Sequence, residues 1–236
     1  MKERGTRIEP QQMIVIREIV ALQDEMTARW HVEPDVDFDD ASGSVDGGIS
    51  GQEIIRRGWL GLVARQHRAN FDLWHIEDEA RAPGASDADL AAVKRRVDQT
   101  NQLRNDLVED LDRVLLTWLE ARGLPNPEAA LHSETPGQII DRLSILALKI
   151  YHTRQETERT HAPAGHSERN RERLAILEKQ RRDLAGCLDV LWKEILDKTR
   201  RFQLYRQLKM YNDPSLNPAI YGKAENERTS EPESKV

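Results

Sequence analysis

The stretch SETPGQIIDRLSILALKIYH, residues 133–152, decides the fold. Thr135 followed three residues later by Gln138 is a capping box, in which each side chain serves a backbone N–H that the first helical turn leaves unpaired. Pro136 fits the first helical position, where its missing N–H costs nothing. Beyond it Ile139, Ile140, Leu143, Ile145, Leu146, Leu148 and Ile150 pass nearly all the way round the helix. A helix apolar on every side belongs inside a bundle. The expected fold is therefore all-α, a bundle of about five helices with no sheet.

Working outward, further helices are readable on both sides. QQMIVIREIVALQDEMTARWH, after Pro10, predicts a first helix ending before Pro34. Ser50 and Glu53 repeat the capping pattern and open a second helix reaching about Arg81; Ser86 and Asp89 open a third reaching about Arg122. The fourth runs from Thr135 to about Glu158. A long fifth covers about Arg169 to Met210, with Leu174, Leu177, Arg181, Leu184, Leu188, Leu191, Ile195, Lys198 and Phe202 spaced alternately three and four. That heptad stripe suits antiparallel packing or a coiled-coil partner, and Asn212-Asp213-Pro214 ends it. The acidic, Gly- and Ser-rich segment 33–49 reads as a flexible loop, YNDPSLNPAIYG (211–222) as an ordered strap and 223–236 as a disordered tail. One helical-bundle domain over 1–222 is expected.

Composition narrows the function classes. A net charge of −6 over 236 residues argues against general nucleic-acid binding, which needs a basic surface. Cys187 is the single cysteine, which leaves no intrachain disulfide or cysteine zinc site and suits a small packing residue. Apolar runs are far shorter than the roughly 20 residues that span a bilayer, and MKERGTRIEPQQ is not a signal peptide. A cytoplasmic protein without a membrane span is expected. Phosphate-loop, nucleophile-elbow and HExxH motifs are missing.

Charges sit where a core should be. With about 100° per residue, Ile55, Trp59, Leu62, Val63, Leu73 and Trp74 share one face of the second helix. Asn70, Glu77 and Arg81 fall on the same face, Asp78 at its edge, and His75 largely away. A structural Glu77–Arg81 pair at the frayed end of that face is one reading, a polar pocket at one end of the bundle the other. On the third helix Val93, Val97, Leu107, Leu111, Val114 and Trp118 form the apolar face, with Arg104 at its middle. A desolvated guanidinium there needs a carboxylate or phosphate partner. Asp141 and Ser144 are embedded in the central fourth helix, and Asp141 is the natural partner of Arg104 or Arg81, with Glu77 a second carboxylate for Arg104. A further stripe, Asp98, Asn101, Asn105, Glu109 and Asp112, lies beside the apolar face of the third helix. A solvated face is one reading of it; asparagines are poor helix formers, which favours a polar site instead.

LWHIEDEAR (73–81), VKRRVDQTNQLRNDLVEDLD (93–112), SETPGQIIDRLSILALKIYH (133–152) and YRQLKMYNDPSLNPAIYG (205–222) resemble the bacterial family called domain of unknown function 4254. The resemblance covers about residues 10–222. It implies a helical, cytoplasmic protein linked to glycosyltransferases of surface-polysaccharide assembly, and it implies no catalytic residues.

Three functions compete. In the first, Asn70, Glu77, Asp78, Arg81, Asn101, Arg104, Asn105 and Asp141 line a cleft for a phosphorylated or sugar-nucleotide ligand; arginines suit phosphate and carboxylates suit Mg²⁺. In the second, Glu77, Asp78, Glu109 and Asp112 bind Mg²⁺ as in the all-α nucleoside triphosphate pyrophosphohydrolases. Glu109-x-x-Asp112 is similar to one of their carboxylate pairs, but Glu77 and Asp78 are adjacent and position 74 is Trp. In the third the chain is a non-catalytic partner of a glycosyltransferase, or a homodimer, docking through the 169–210 helix.

Overall fold

Helix α4, Pro136–Glu158, is the hub of the structure. In the computed structural model, which describes residues 13–36, 51–206 and 215–218 (backbone alone at 51–53), α4 packs against all four other helices: α1, Ile16–Trp30; α2, Gly51–Glu79; α3, Asp87–Glu120; and α5, His166–Leu196. Ile139, Ile140, Leu143, Leu148 and Ile150 are buried, as an all-round apolar helix requires. The chain divides into a unit over 1–204, which holds every helix named above, and a second over 205–236.

Local chemistry sets the helix starts. At α3 Ser86 accepts from the Asp89 N–H while Asp89 accepts from the Ser86 N–H; at α4 Thr135 and Gln138 do the same. The buried Asp112 carboxylate accepts from the Gly137 N–H at 2.7 Å. A side chain at 137 would meet Val108 O at 2.7 Å and Asp112 Oδ1 at 2.8 Å, so only glycine lets α3 and α4 approach this closely. The heptad stripe of α5 works within the bundle: Leu188, Leu191 and Ile195 are buried, and Trp192 joins them.

Several expectations are corrected. Two short strands exist, β1, Ala130–Leu131, and β2, Arg200–Arg201, paired in parallel. The fifth helix stops at Leu196, well short of Met210. Lys198 takes a left-handed φ of 64°, and Thr199 N donates to Glu194 O at 2.9 Å, which closes the last turn with no glycine or proline to signal it. Lys198 is exposed, off the stripe. The inner face of α3 is rotated from the expected one: Leu115, Leu119 and Asp112 are buried, Val114 is exposed and Trp118 is half-buried. Ile55, on the expected inner face of α2, is exposed. Pro10, the Ser50 cap, most of the 33–49 loop, most of the 211–222 strap and the 223–236 tail lie outside the described residues.

Candidate functional site

The charge buried on α4 organises the site. Asp141 Oδ1 accepts from Gln66 Nε2 at 2.6 Å, Asn70 Nδ2 at 2.9 Å and Arg104 Nε at 2.8 Å. Its Oδ2 accepts from Arg104 Nη2. The Arg104 side chain keeps 25% of its exposure and Asp141 9%, so the pair is desolvated on one side and open on the other. Arg104 Nη1 reaches Asn101 Oδ1 at 3.4 Å. The hydrogen bond to Asp141 holds the guanidinium proton even more firmly than usual, against the opposing effect of burial.

Arg104 forms part of the wall of a cleft of about 620 Å³. Asn70, Leu73, Trp74, Glu77, Asp78 and Arg81 contribute from α2 and its end, Val97 and Asn101 from α3, Ile145 and Leu148 from α4. Six of the eight candidate ligand-binding residues thus meet in one cleft. Asp141 stands directly behind it, holding Arg104 and Asn70. Asn105 does not line it, and its Nδ2 is buried without a hydrogen-bond partner among the described residues.

Glu77 and Arg81 are not buried in a core. They stand at the cleft mouth with side chains 47% and 67% exposed, Arg81 Nη2 lying 3.4 Å from Glu77 Oε2, and Arg81 Nη1 also reaching Asp78 Oδ1 at 3.4 Å. The last turn of α2 lies beside α3, with Glu79 paired to Arg96, and the polar side chains of Glu77 and Arg81 stay in water at the cleft mouth. Arg104 is fixed by Asp141; Glu77 takes Arg81 instead.

The four carboxylates considered for Mg²⁺ are not gathered. Among the described residues no three of them converge. Asp112, placed by the wheel off the apolar face, is 3% exposed and is occupied by the α4 N-terminus, accepting from Thr135 as well as Gly137. Burial raises its pKa to about 6, hydrogen bonds from Thr135 and Gly137 oppose the rise, and the neighbouring charge of Glu109 adds to it.

A buried polar chain that no sequence motif marks lies behind the cleft. Thr27 Oγ1 donates to Gln23 O at 2.7 Å, so it must accept from His67 Nε2, 2.8 Å away. His67 Nδ1 is then an acceptor for the Ser144 hydroxyl at 2.7 Å, and Ser144 accepts from Asn70 Nδ2 at 2.9 Å. Every donor points the same way, from Asn70 at the cleft towards α1. His67 is fully buried and burial pushes its pKa down to about 3, so the ring is neutral. Gln23, Thr27, Gln66 and His67 lie on the inner faces of α1 and α2, where their helical spacing with Met26, Trp30 and Val63 was the available signal.

An all-α bundle with a charged inter-helix cleft, backed by a buried polar network, is the class that this geometry defines. Residues 60–204 match the family described as Protein of unknown function (DUF4254), and the chain belongs to that family. Every cleft residue falls within the matched span. No curated protein and no solved structure matches the chain. Among the described residues, no helix is long and apolar enough to cross a membrane.

Proposed function

We propose that this protein binds a phosphorylated small molecule, a sugar nucleotide being the best fit, in the cleft between α2, α3 and α4. Its setting on this reading is surface-polysaccharide synthesis in the bacterial cytoplasm, in company with a glycosyltransferase. The observation that carries the reading is Arg104, fixed at the cleft wall by its fork to Asp141. Of the five N–H groups of a guanidinium, three point to Asp141 and Asn101. The remaining two are preorganised donors for phosphoryl or hydroxyl oxygens. Leu73, Trp74, Val97, Ile145 and Leu148 offer an apolar wall for a sugar or base ring.

Charge adds a requirement. Glu77, Asp78 and Asp141 outnumber Arg81 and Arg104, so a phosphate entering the cleft needs a further cation. Mg²⁺ bridging the ligand to Glu77 and Asp78 meets that need with oxygen ligands it prefers.

Calorimetric titration with nucleoside diphosphate sugars, with and without Mg²⁺, tests the reading. Binding should depend on Mg²⁺ and weaken at least about tenfold, roughly 1.4 kcal/mol, in Arg81→Ala, whose exposed side chain is not needed for folding. No binding across the panel, or affinity indifferent to both Arg81→Ala and Asn101→Ala, sinks it.

A second reading has its own observation. Ile176 and Val190, two heptads apart on α5, are 58% and 54% exposed. They suit a partner helix, from a glycosyltransferase or from a second copy of this chain. Sedimentation equilibrium of the native chain and of Ile176→Glu with Val190→Glu would reveal a self-association through this face.

A further inference from the structure

Three histidines from three different helices converge beside the cleft. His31 follows the last turn of α1, His75 lies on α2 and His152 on α4, and one ring nitrogen from each lies within 4.8 Å of the others. Ring centroids are 5.2 Å apart for His31 and His75, 5.0 Å for His31 and His152, and 5.8 Å for His75 and His152. Periodicity placed His75 pointing away from the core; in the structure it is half-buried in this cluster.

The hydrogen bonds decide which nitrogen each ring presents. His31 Nδ1 lies 2.6 Å from Thr27 O, His75 Nδ1 2.8 Å from Phe71 O, and His152 Nδ1 3.2 Å from Gln155 Oε1. A carbonyl oxygen can only accept, so each Nδ1 carries a hydrogen and each Nε2 of the neutral ring carries a lone pair. The Nε2 atoms of His31 and His152 are buried and have no hydrogen-bond partner among the described residues. Buried acceptors are ordinarily satisfied.

We propose that His31, His75 and His152 form a binding site for one divalent first-row transition metal ion, zinc being the expected occupant. Imidazole nitrogens select zinc, nickel or copper over magnesium and calcium, which take oxygen. Metal-bound histidines typically donate the other ring N–H to a carbonyl or carboxylate, which fixes tautomer and aim; all three rings here have that second contact. Bonds of about 2.0–2.1 Å to zinc require the nitrogens to draw in by about an ångström, within the reach of small ring rotations. Three nitrogens leave a fourth position of the tetrahedron for water or another oxygen ligand. Asp78, one turn beyond His75, brings negative charge near His152. Aromatic packing accounts for the ring planes, with His31 stacked on Tyr151 at 4.4 Å and His152 on Trp74 at 4.9 Å. It does not account for one ring nitrogen from each of three helices lying within 4.8 Å of the other two. Trp74 also lines the cleft, so this ion would sit one ring away from the ligand site.

The test uses the full chain without a polyhistidine tag, stripped by a chelator and titrated with Zn²⁺ against a competing chelating dye. One equivalent should bind more tightly than about 1 μM. His75→Gln, at a half-exposed position, should retain the helical circular dichroism signal and lose affinity by about a hundredfold. In the native chain, Zn²⁺ should shift the Nε2 nitrogen resonances of these three histidines and leave that of His67 unmoved, a readout that needs no variant. Failure to reach one equivalent, unmoved resonances, or unchanged affinity in His75→Gln overturns the proposal.

Discussion

Arg104 on α3 and Asp141 on α4 meet through two parallel contacts, Nε to Oδ1 at 2.8 Å and Nη2 to Oδ2, while Gln66 and Asn70 on α2 donate to the same carboxylate. One carboxylate therefore ties three helices. Asp141→Leu strands Arg104 and Gln66 and should cost about 3–5 kcal/mol. Arg104→Met leaves Asp141 two amide donors and should cost less, about 2 kcal/mol. Chemical denaturation of the double variant should recover about 1–2 kcal/mol relative to the sum of the single losses; strict additivity would show that the pair is not coupled.

His67 makes the protein acid-sensitive. Its native pKa is depressed to about 3 by burial, whereas the unfolded chain takes up a proton near pH 6.5. The stabilisation from a neutral His67 is complete above pH 6.5 and falls as pH drops, by about 1.4 kcal/mol per unit down towards pH 3. His67→Gln should flatten that acid limb in urea-midpoint measurements between pH 6.5 and 5. Parallel decline of native and variant would refute it.

Asp112 acts in the opposite direction. Burial raises its native pKa to about 6 from an ordinary value of 3.8. The native state therefore holds this proton more tightly than the unfolded chain does. The contribution is fully present below about pH 4 and is lost as pH rises through 6, amounting to up to about 3 kcal/mol. Asp112→Asn retains an oxygen for the Gly137 N–H and removes the titration. Its stability relative to the native chain should rise between pH 4 and 7; a constant difference would contradict the assignment.

Legibility in the sequence followed the range of the interactions. The Ser86 and Thr135 caps are local, so both were readable, and the apolar circumference of α4 announced its central place. Arg104 and Asp141 were readable as partners because each is a charge on a face that has to leave water. The wheel could not register what neighbours decide: it put Glu77 and Arg81 on the apolar face of α2, where they pair with each other yet stay exposed at the cleft mouth, and it left Asp112 outside although the start of α4 covers it. The end of α5 depends on Lys198 adopting a left-handed conformation and on pairing of Arg200 and Arg201 with Ala130 and Leu131, about seventy residues apart. The histidine cluster joins three helices with no spacing between its members that a local pattern could register.

The central place of α4 also orders the events of synthesis. Gln23, Thr27, Gln66, His67 and Asn70 all precede it in the chain, and the groups that complete their network, Asp141, Ser144 and the Ile140 carbonyl, all lie on it. A nascent chain that has left the ribosome only through α3 holds polar side chains and apolar faces with no common partner. The polar network can therefore be completed only once α4 has emerged, and the apolar core only once α5, with Leu188, Leu191, Trp192 and Ile195, has followed it.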